Sequence, residues 1–469
     1  MPFPSDDPRD ALALAADIRS GRLSARAALD AALGAAESVK HLGAIRFLDA
    51  ARARGRADEL DRLLADKPEE AASMPFFGVP FLMKDLGSAA AGFPVVCGSR
   101  LLEGMPPPQV DSHLAARFLA AGLVPFGVTT VPEFGLATTS EPDLGPVARN
   151  PLDSTRTPGG SSGGAAAAVA AGIVTLAQSG DAGGSTRVPA ACCGLVGLKP
   201  SRGAVPGGPG FGNHLSGIAI ELVLSRSLRD TAAALDAVTG RAQGPEPDPD
   251  LGGSVLARLE EPLPRLRVGL CLGMPGSIDP ARRDAVAAAA DVLARNGHTL
   301  IVVPPEHLAP LTLASARAFD RIISVNLARN LAGLGDDDLA RVEPLTRAVL
   351  ARGRAISGVE LQEAQAAAVG VAHEMWRLFG DMDVLLTPML ATAPTPIGAM
   401  PMDHGDVELH WRRMEAFAPY AMLANIAGTP ALSVPIGPDR DGLPLPLHLV
   451  GMMGSDALLL RVARQLTTL

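Results

Sequence analysis

Residues 158–200 restrict what this chain can fold into more than any other stretch. Pro158-Gly159-Gly160-Ser161-Ser162-Gly163-Gly164 opens the stretch, Gly180-Asp181-Ala182-Gly183-Gly184-Ser185 follows, and Lys199-Pro200 closes it. Two serine-bearing glycine turns are separated by an Ala/Val-rich run. Glycine accepts φ > 0 and lets a main chain come close to a ligand. Backbone N–H groups gathered around Ser161, Ser162 and Ser185 point to a nucleophile with an oxyanion hole. Ala165 to Val174 is expected as a helix starting on the first turn. Val169 to Leu176 is expected to run on into a strand, leading the second turn back to the first.

Simpler explanations fit less well. A Gly/Ser linker is not followed by a long apolar run. A phosphate loop needs Gly-x4-Gly-Lys-Ser/Thr, and no lysine stands between Lys84 and Lys199. Gly160 to Gly164 also satisfies Gly-x-Ser-x-Gly with Ser162 as nucleophile, but that elbow must cap a buried strand. The preceding Asp153–Pro158 segment is polar and ends in proline. Triad histidines follow in number only, at His214, His298, His307, His373, His404, His410 and His448. No His-Glu-x2-His and no Cys-x2-Cys pair offers a metal site. Cys97, Cys192, Cys193 and Cys271 are too few and too unevenly placed for a disulfide framework.

Serine activated by lysine remains. Of 41 basic side chains only Lys40, Lys67, Lys84 and Lys199 are lysines. A guanidinium cannot serve as a base, whereas an ammonium made neutral by burial can. Lys84 follows the apolar run Phe76–Met83, and a second serine between it and the nucleophile can relay the proton.

The remainder of the chain supports an enzyme-sized α/β protein. Hydrophobic residues make up 47% of 469, with 50 Gly and 41 Pro spread along the chain. The net charge is −9 without a basic patch, so nucleic acid is not an expected partner. The N-terminus lacks a signal-peptide pattern and no uncharged apolar run reaches the ~18 residues of a membrane span, so a cytoplasmic protein is expected. Helices are expected at 10–18, 24–37, 51–64, 111–121, 227–238, 280–296 and 456–466, and over much of 307–379. Strands are expected between Pro75 and Pro80 running to about Lys84, and at 123–128, 266–272, 299–303, 384–386, 431–436 and 445–450. Gly244–Asp250 reads as a linker. Alternating strands and helices give an α/β layered fold.

Taken together these segments resemble the amidase signature family. The resemblance rests on residues 158–164, on Gly180–Ala190, on Cys193–Pro200, on Gly78–Asp85, and on Pro430–Pro435 with Gly442–Leu445, in order over nearly the whole chain. It implies one domain, 1–469, with a large central mixed β-sheet covered by helices on both faces. Within it fall a helical N-terminal region 1–70, a catalytic core 71–240, a linker 241–265 and a sheet-completing, pocket-forming part 266–469. It implies amide hydrolysis without metal or cofactor, with Ser185 as nucleophile, Ser161 as bridging serine and Lys84 as base. The Gly160–Ser161 peptide would be cis, and the N–H groups of Ala182, Gly183, Gly184 and Ser185 would form the oxyanion hole. Asp181 and Arg187 would pair to hold the loop.

The family usually has threonine where Gly180 and Ala182 stand. The first change removes a hydroxyl that helps hold the second signature serine, which bears on Ser162. Such arrangements also occur in the branch that includes the hydrolase of the cyclic 6-aminohexanoate dimer. An amidotransferase A-type subunit acting with partner chains shares the signature but typically carries glutamine where Val188 stands. A binding protein on the same fold would be favoured only if Lys84, Ser161 or Ser185 were missing. The expected partner is a small amide, bound by the loop after Val128, the Gly203–His214 loop, helices near 315–330 and the segment 387–425. The insert 307–379 is a candidate contact for a second copy in a homodimer.

Overall fold

The computed structural model describes residues 10–208, 214–240, 248–273 and 276–466. The expected linker Gly244–Asp250 lies largely outside these residues, as do residues 209–213 of the Gly203–His214 loop. Eleven strands follow in chain order. They are β1 Ile45–Leu48, β2 Pro80–Lys84, β3 Val124–Thr129, β4 Leu176–Asp181, β5 Val196–Lys199, β6 Ile220–Ser225, β7 Arg267–Leu270, β8 Thr299–Val302, β9 Val384–Pro388, β10 Ala431–Pro438 and β11 Pro444–Gly451. They join in one sheet in the order β1-β3-β2-β4-β6-β5-β10-β11-β9-β7-β8. β2 runs parallel to β3 and β4, and β7 parallel to β8 and β9. The other neighbours are antiparallel, so the sheet is mixed.

Helices cover both faces because the central strands are apolar on both sides. Along β2, Phe81 and Met83 join the cluster packed with helices Leu228–Val238 and Asp456–Leu466, while Leu82 joins the one packed with Gly163–Ala170. Several helices begin where a side chain can accept orphan backbone N–H groups. Ser24, Ser112 and Ser227 cap their helices in this way, and Ser357 forms a capping box with Glu360.

The structure corrects three expectations. The strand placed between Pro75 and Pro80 begins at Pro80, because Phe76–Gly78 make a turn in which Gly78 has φ +76°. The strand expected from Val169 begins at Leu176, since the helix Gly163–Ala170 ends at Gly172 (φ +79°) and a short connection precedes β4. β1, β5 and β6 had no sequence assignment; β6 is a short apolar run interrupted by Glu221, too brief to announce a period. Among the described residues no helix is long and apolar enough to cross a membrane.

Candidate active site

Lys84 is the last residue of β2, a central strand buried along its whole length. Side chains alternate along a strand, so Lys84 shares the face of Leu82 and points toward the helix that starts on the first glycine turn. Its Nζ lies 2.9 Å from Ser161 Oγ and 3.2 Å from the Gly180 carbonyl oxygen. Its main-chain N–H donates to Gln178 Oε1 at 2.9 Å. Burial pushes the lysine pKa down to about 8, against opposing pulls from Glu221 and Asp181.

The first turn carries a cis peptide bond at Gly160–Ser161. The next residue joins the two turns: Ser162 N–H donates to the Ser185 carbonyl at 3.2 Å. Ser162 Oγ makes two long contacts with the main chain of Gly180, 3.3 Å to its N and 3.4 Å to its O. Backbone thus occupies Ser162 without a threonine hydroxyl at position 180.

The second turn is held from beneath. β4 runs on through Gly180 and ends at Asp181, whose carboxylate accepts from the N–H groups of Gly184 (2.7 Å), Thr186 (3.3 Å) and Arg187 (3.3 Å). Arg187 Nε reaches the same carboxylate at 2.9 Å, and both side chains are buried. Burial alone would raise the Asp181 pKa, but the Arg187 charge and its hydrogen bonds outweigh it and hold the carboxyl well below the usual range. Arg187 also donates to the Ala421 carbonyl at 2.8 Å and to Asn425 Oδ1 at 2.7 Å, and faces His448 Nε2 at 2.9 Å. Asn425 Nδ2 returns to the Asp181 carbonyl at 2.8 Å. Burial and the neighbouring guanidinium push the His448 pKa far down, so the ring is neutral, with Nδ1 3.1 Å from Thr387 Oγ1.

Removing one partner of such a buried pair leaves an uncompensated charge. Arg187→Met is expected to lower unfolding free energy by about 3–5 kcal/mol, read by urea denaturation, with part of the loss recovered in Asp181→Asn/Arg187→Met.

Two glycines in the turn have no room for a side chain. A Cβ on Gly184, where φ is +116°, would lie 2.8 Å from Ala421 Cβ, and one on Gly183 would lie 2.7 Å from the Phe319 ring. Helices Ala421–Ala427 and Pro305–Asn330 therefore close directly over the turn. Phe319 packs edge-on against Trp411, with centroids 5.6 Å apart, in the cluster that also takes Phe134, Ala182, Leu215 and Met422. Among the described residues the N–H groups of Ala182, Gly183 and Ser185 have no hydrogen-bond partner, whereas that of Gly184 is already committed to Asp181. Of the four amides expected to form an oxyanion hole, three are free.

Sequence reasoning missed four supporting side chains: Gln178, Glu221, Asn425 and His448. The one available signal was Glu221, a lone carboxylate in the apolar run Ile218–Leu224. No cluster of three or more His, Cys, Asp or Glu able to hold a metal occurs among the described residues.

A lysine buried against a serine, beside a turn of open amides on this mixed sheet, defines a hydrolase of amide C–N bonds. The amidase family model matches residues 27–460, and the chain belongs to that family. It is 33% identical to the 6-aminohexanoate-cyclic-dimer hydrolase of Paenarthrobacter ureafaciens, over 98% of this chain and 94% of that protein. A solved 6-aminohexanoate cyclic dimer hydrolase superposes with TM-score 0.89 at 30% identity, covering 98% and 96% of the two chains. The peptide amidase of Stenotrophomonas maltophilia superposes with TM-score 0.80 at 25% identity, covering 100% of this chain and 98% of that one.

Proposed function

We propose that the chain hydrolyses a small carboxylic amide through a Ser185–Ser161–Lys84 relay and an acyl-enzyme, with aliphatic cyclic amides such as a 6-aminohexanoate dimer as the favoured substrate class. Ser185 Oγ attacks the carbonyl carbon while its proton passes to Ser161, and the Ser161 proton passes to neutral Lys84. The N–H groups of Ala182, Gly183 and Ser185 receive the oxyanion. The C–N bond then breaks as the relay runs backward and protonates the leaving nitrogen. Water, deprotonated along the same line, attacks the acyl-enzyme and frees the acid and Ser185.

The observation that carries this proposal is the 2.9 Å contact between a buried Lys84 Nζ and Ser161 Oγ. Phe319, set against Gly183 in an apolar cluster that also takes Ala182, supports an aliphatic substrate, as does the likeness to cyclic dimer hydrolases.

A base must be neutral to act, so activity is lost as pH falls through the lysine pKa of about 8. At pH 7 roughly a tenth of the molecules carry neutral Lys84. The chain purified alone is expected to release amine or ring-opened acid from a panel of linear and cyclic amides. Its kcat/KM is expected to rise about tenfold per pH unit below a midpoint near 8. Turnover only with added partner chains would instead favour an amidotransferase subunit, and a flat pH profile would remove Lys84 from the relay.

A further inference from the structure

Glu221 is the only carboxylate of β6, and it is buried. Both of its oxygens accept: from Ser88 N–H at 3.0 Å, the Ser88 hydroxyl at 2.6 Å and Gln178 Nε2 at 2.9 Å. Among the described residues no arginine, lysine or histidine forms an ion pair with it. The other end of the Gln178 amide accepts the Lys84 N–H, so one side chain ties the carboxylate to the lysine residue itself.

Strand register sets Glu221 opposite Gly180. A Cβ on Gly180 would stand 3.3 Å from Glu221 Cγ, 3.7 Å from Lys84 Nζ and 3.9 Å from Glu221 Oε1. The missing side chain leaves open the space across which the carboxylate and the ammonium face each other.

We propose that Glu221 is a positioning residue for the catalytic lysine: through the gap at Gly180 its carboxylate orients Nζ and sets how firmly that nitrogen keeps a proton. The proposal rests on Lys84 being the base. Other groups face the lysine, but each has its own partner or is neutral. Asp181, at the end of β4, is matched by Arg187. Cys97, in the loop after β2, is a thiol whose pKa burial pushes well up. Asp85, directly after β2, pairs with Arg46 at 3.0 Å. Glu133, from the turn after β3, accepts from the Ser99 hydroxyl and from Glu343 N–H. Of the two carboxylates that act on Nζ, Glu221 and Asp181, only Glu221 has no cation partner among the described residues, and a nearby opposite charge favours the charged amine.

The test is the acid limb of kcat/KM, measured on an amide that the wild-type chain cleaves. Glu221→Gln is expected to move the limb to lower pH by about one unit or more, because a lysine without its counter-charge releases its proton more readily. Glu221→Asp keeps the charge and is expected to leave the limb near its wild-type position even where the rate falls. Gly180→Ala brings a methyl group to 3.3 Å from Glu221 Cγ, which crowds the carboxylate away from Nζ, and is expected to shift the limb in the same direction as Glu221→Gln. It decides the matter if the glutamine variant does not fold. Variants that lose rate at every pH while the limb stays at its wild-type position would overturn the proposal and leave Glu221 a structural residue. Lys84→Ala retaining an active, unshifted limb would instead show that the base itself was misassigned.

Discussion

Ser185→Ala is expected to lower kcat/KM by about 10⁶-fold, the scale on which an acyl-transfer enzyme fails when its nucleophile is removed. The unfolding transition should not move, because the half-buried Ser185 side chain makes no hydrogen bond among the described residues, while its carbonyl, which accepts from Ser162, stays in place. Loss of activity with unchanged stability separates a nucleophile from a turn-forming serine. Ser162→Ala serves as the internal control. Its hydroxyl makes only two long contacts with Gly180, so its loss should reduce activity far less than that of Ser185. Equal losses at the two positions would put the nucleophile in doubt.

Lys84→Ala and Lys84→Arg are expected to be almost equally inactive, each down by about 10²–10⁴-fold in kcat/KM, the usual share of a positioned general base. Arginine keeps the positive charge but holds its proton throughout the working pH range. It is also bulkier in a site with Ser161 Oγ at 2.9 Å and the Gly180 carbonyl at 3.2 Å. If charge rather than basicity mattered, the arginine variant would keep most of the activity. The pH profiles of the residual activities are the second readout: both should lose the limb near 8 expected of the wild-type chain.

Much of this site was legible in the sequence because its chemistry sits on short, unusual strings. Two glycine turns with serines, and a lysine at the end of an apolar run in an arginine-using chain, announce themselves without long-range information. Long helices such as Ala25–Ser38 and Pro280–Arg295 were legible for another reason, their repeating period and their caps. What stayed hidden depends on pairing between distant strands and helices. Gln178 gains meaning only once β2 lies beside β4, and Glu221 only once β6 pairs with β4 so that it stands opposite Gly180. Asn425 and His448 reach Arg187 from more than 230 residues away in the chain. The availability of the loop amides was equally invisible. All four look alike in Ala182-Gly183-Gly184-Ser185, and only the fold turns the carboxylate of Asp181 onto Gly184.

The central claim is that Ser185, and no neighbouring serine, forms the bond to substrate. A serine-directed fluorophosphonate, or an acyl-enzyme quenched in acid, places a mass increment on the nucleophile. Trypsin releases residues 157–187 as one peptide, carrying Ser161, Ser162, Ser179 and Ser185 together. Fragmentation of that peptide is expected to locate the increment on Ser185, with labelling that slows as pH falls through about 8. An increment on Ser161 or Ser162, or one that persists in Ser185→Ala, would contradict the account.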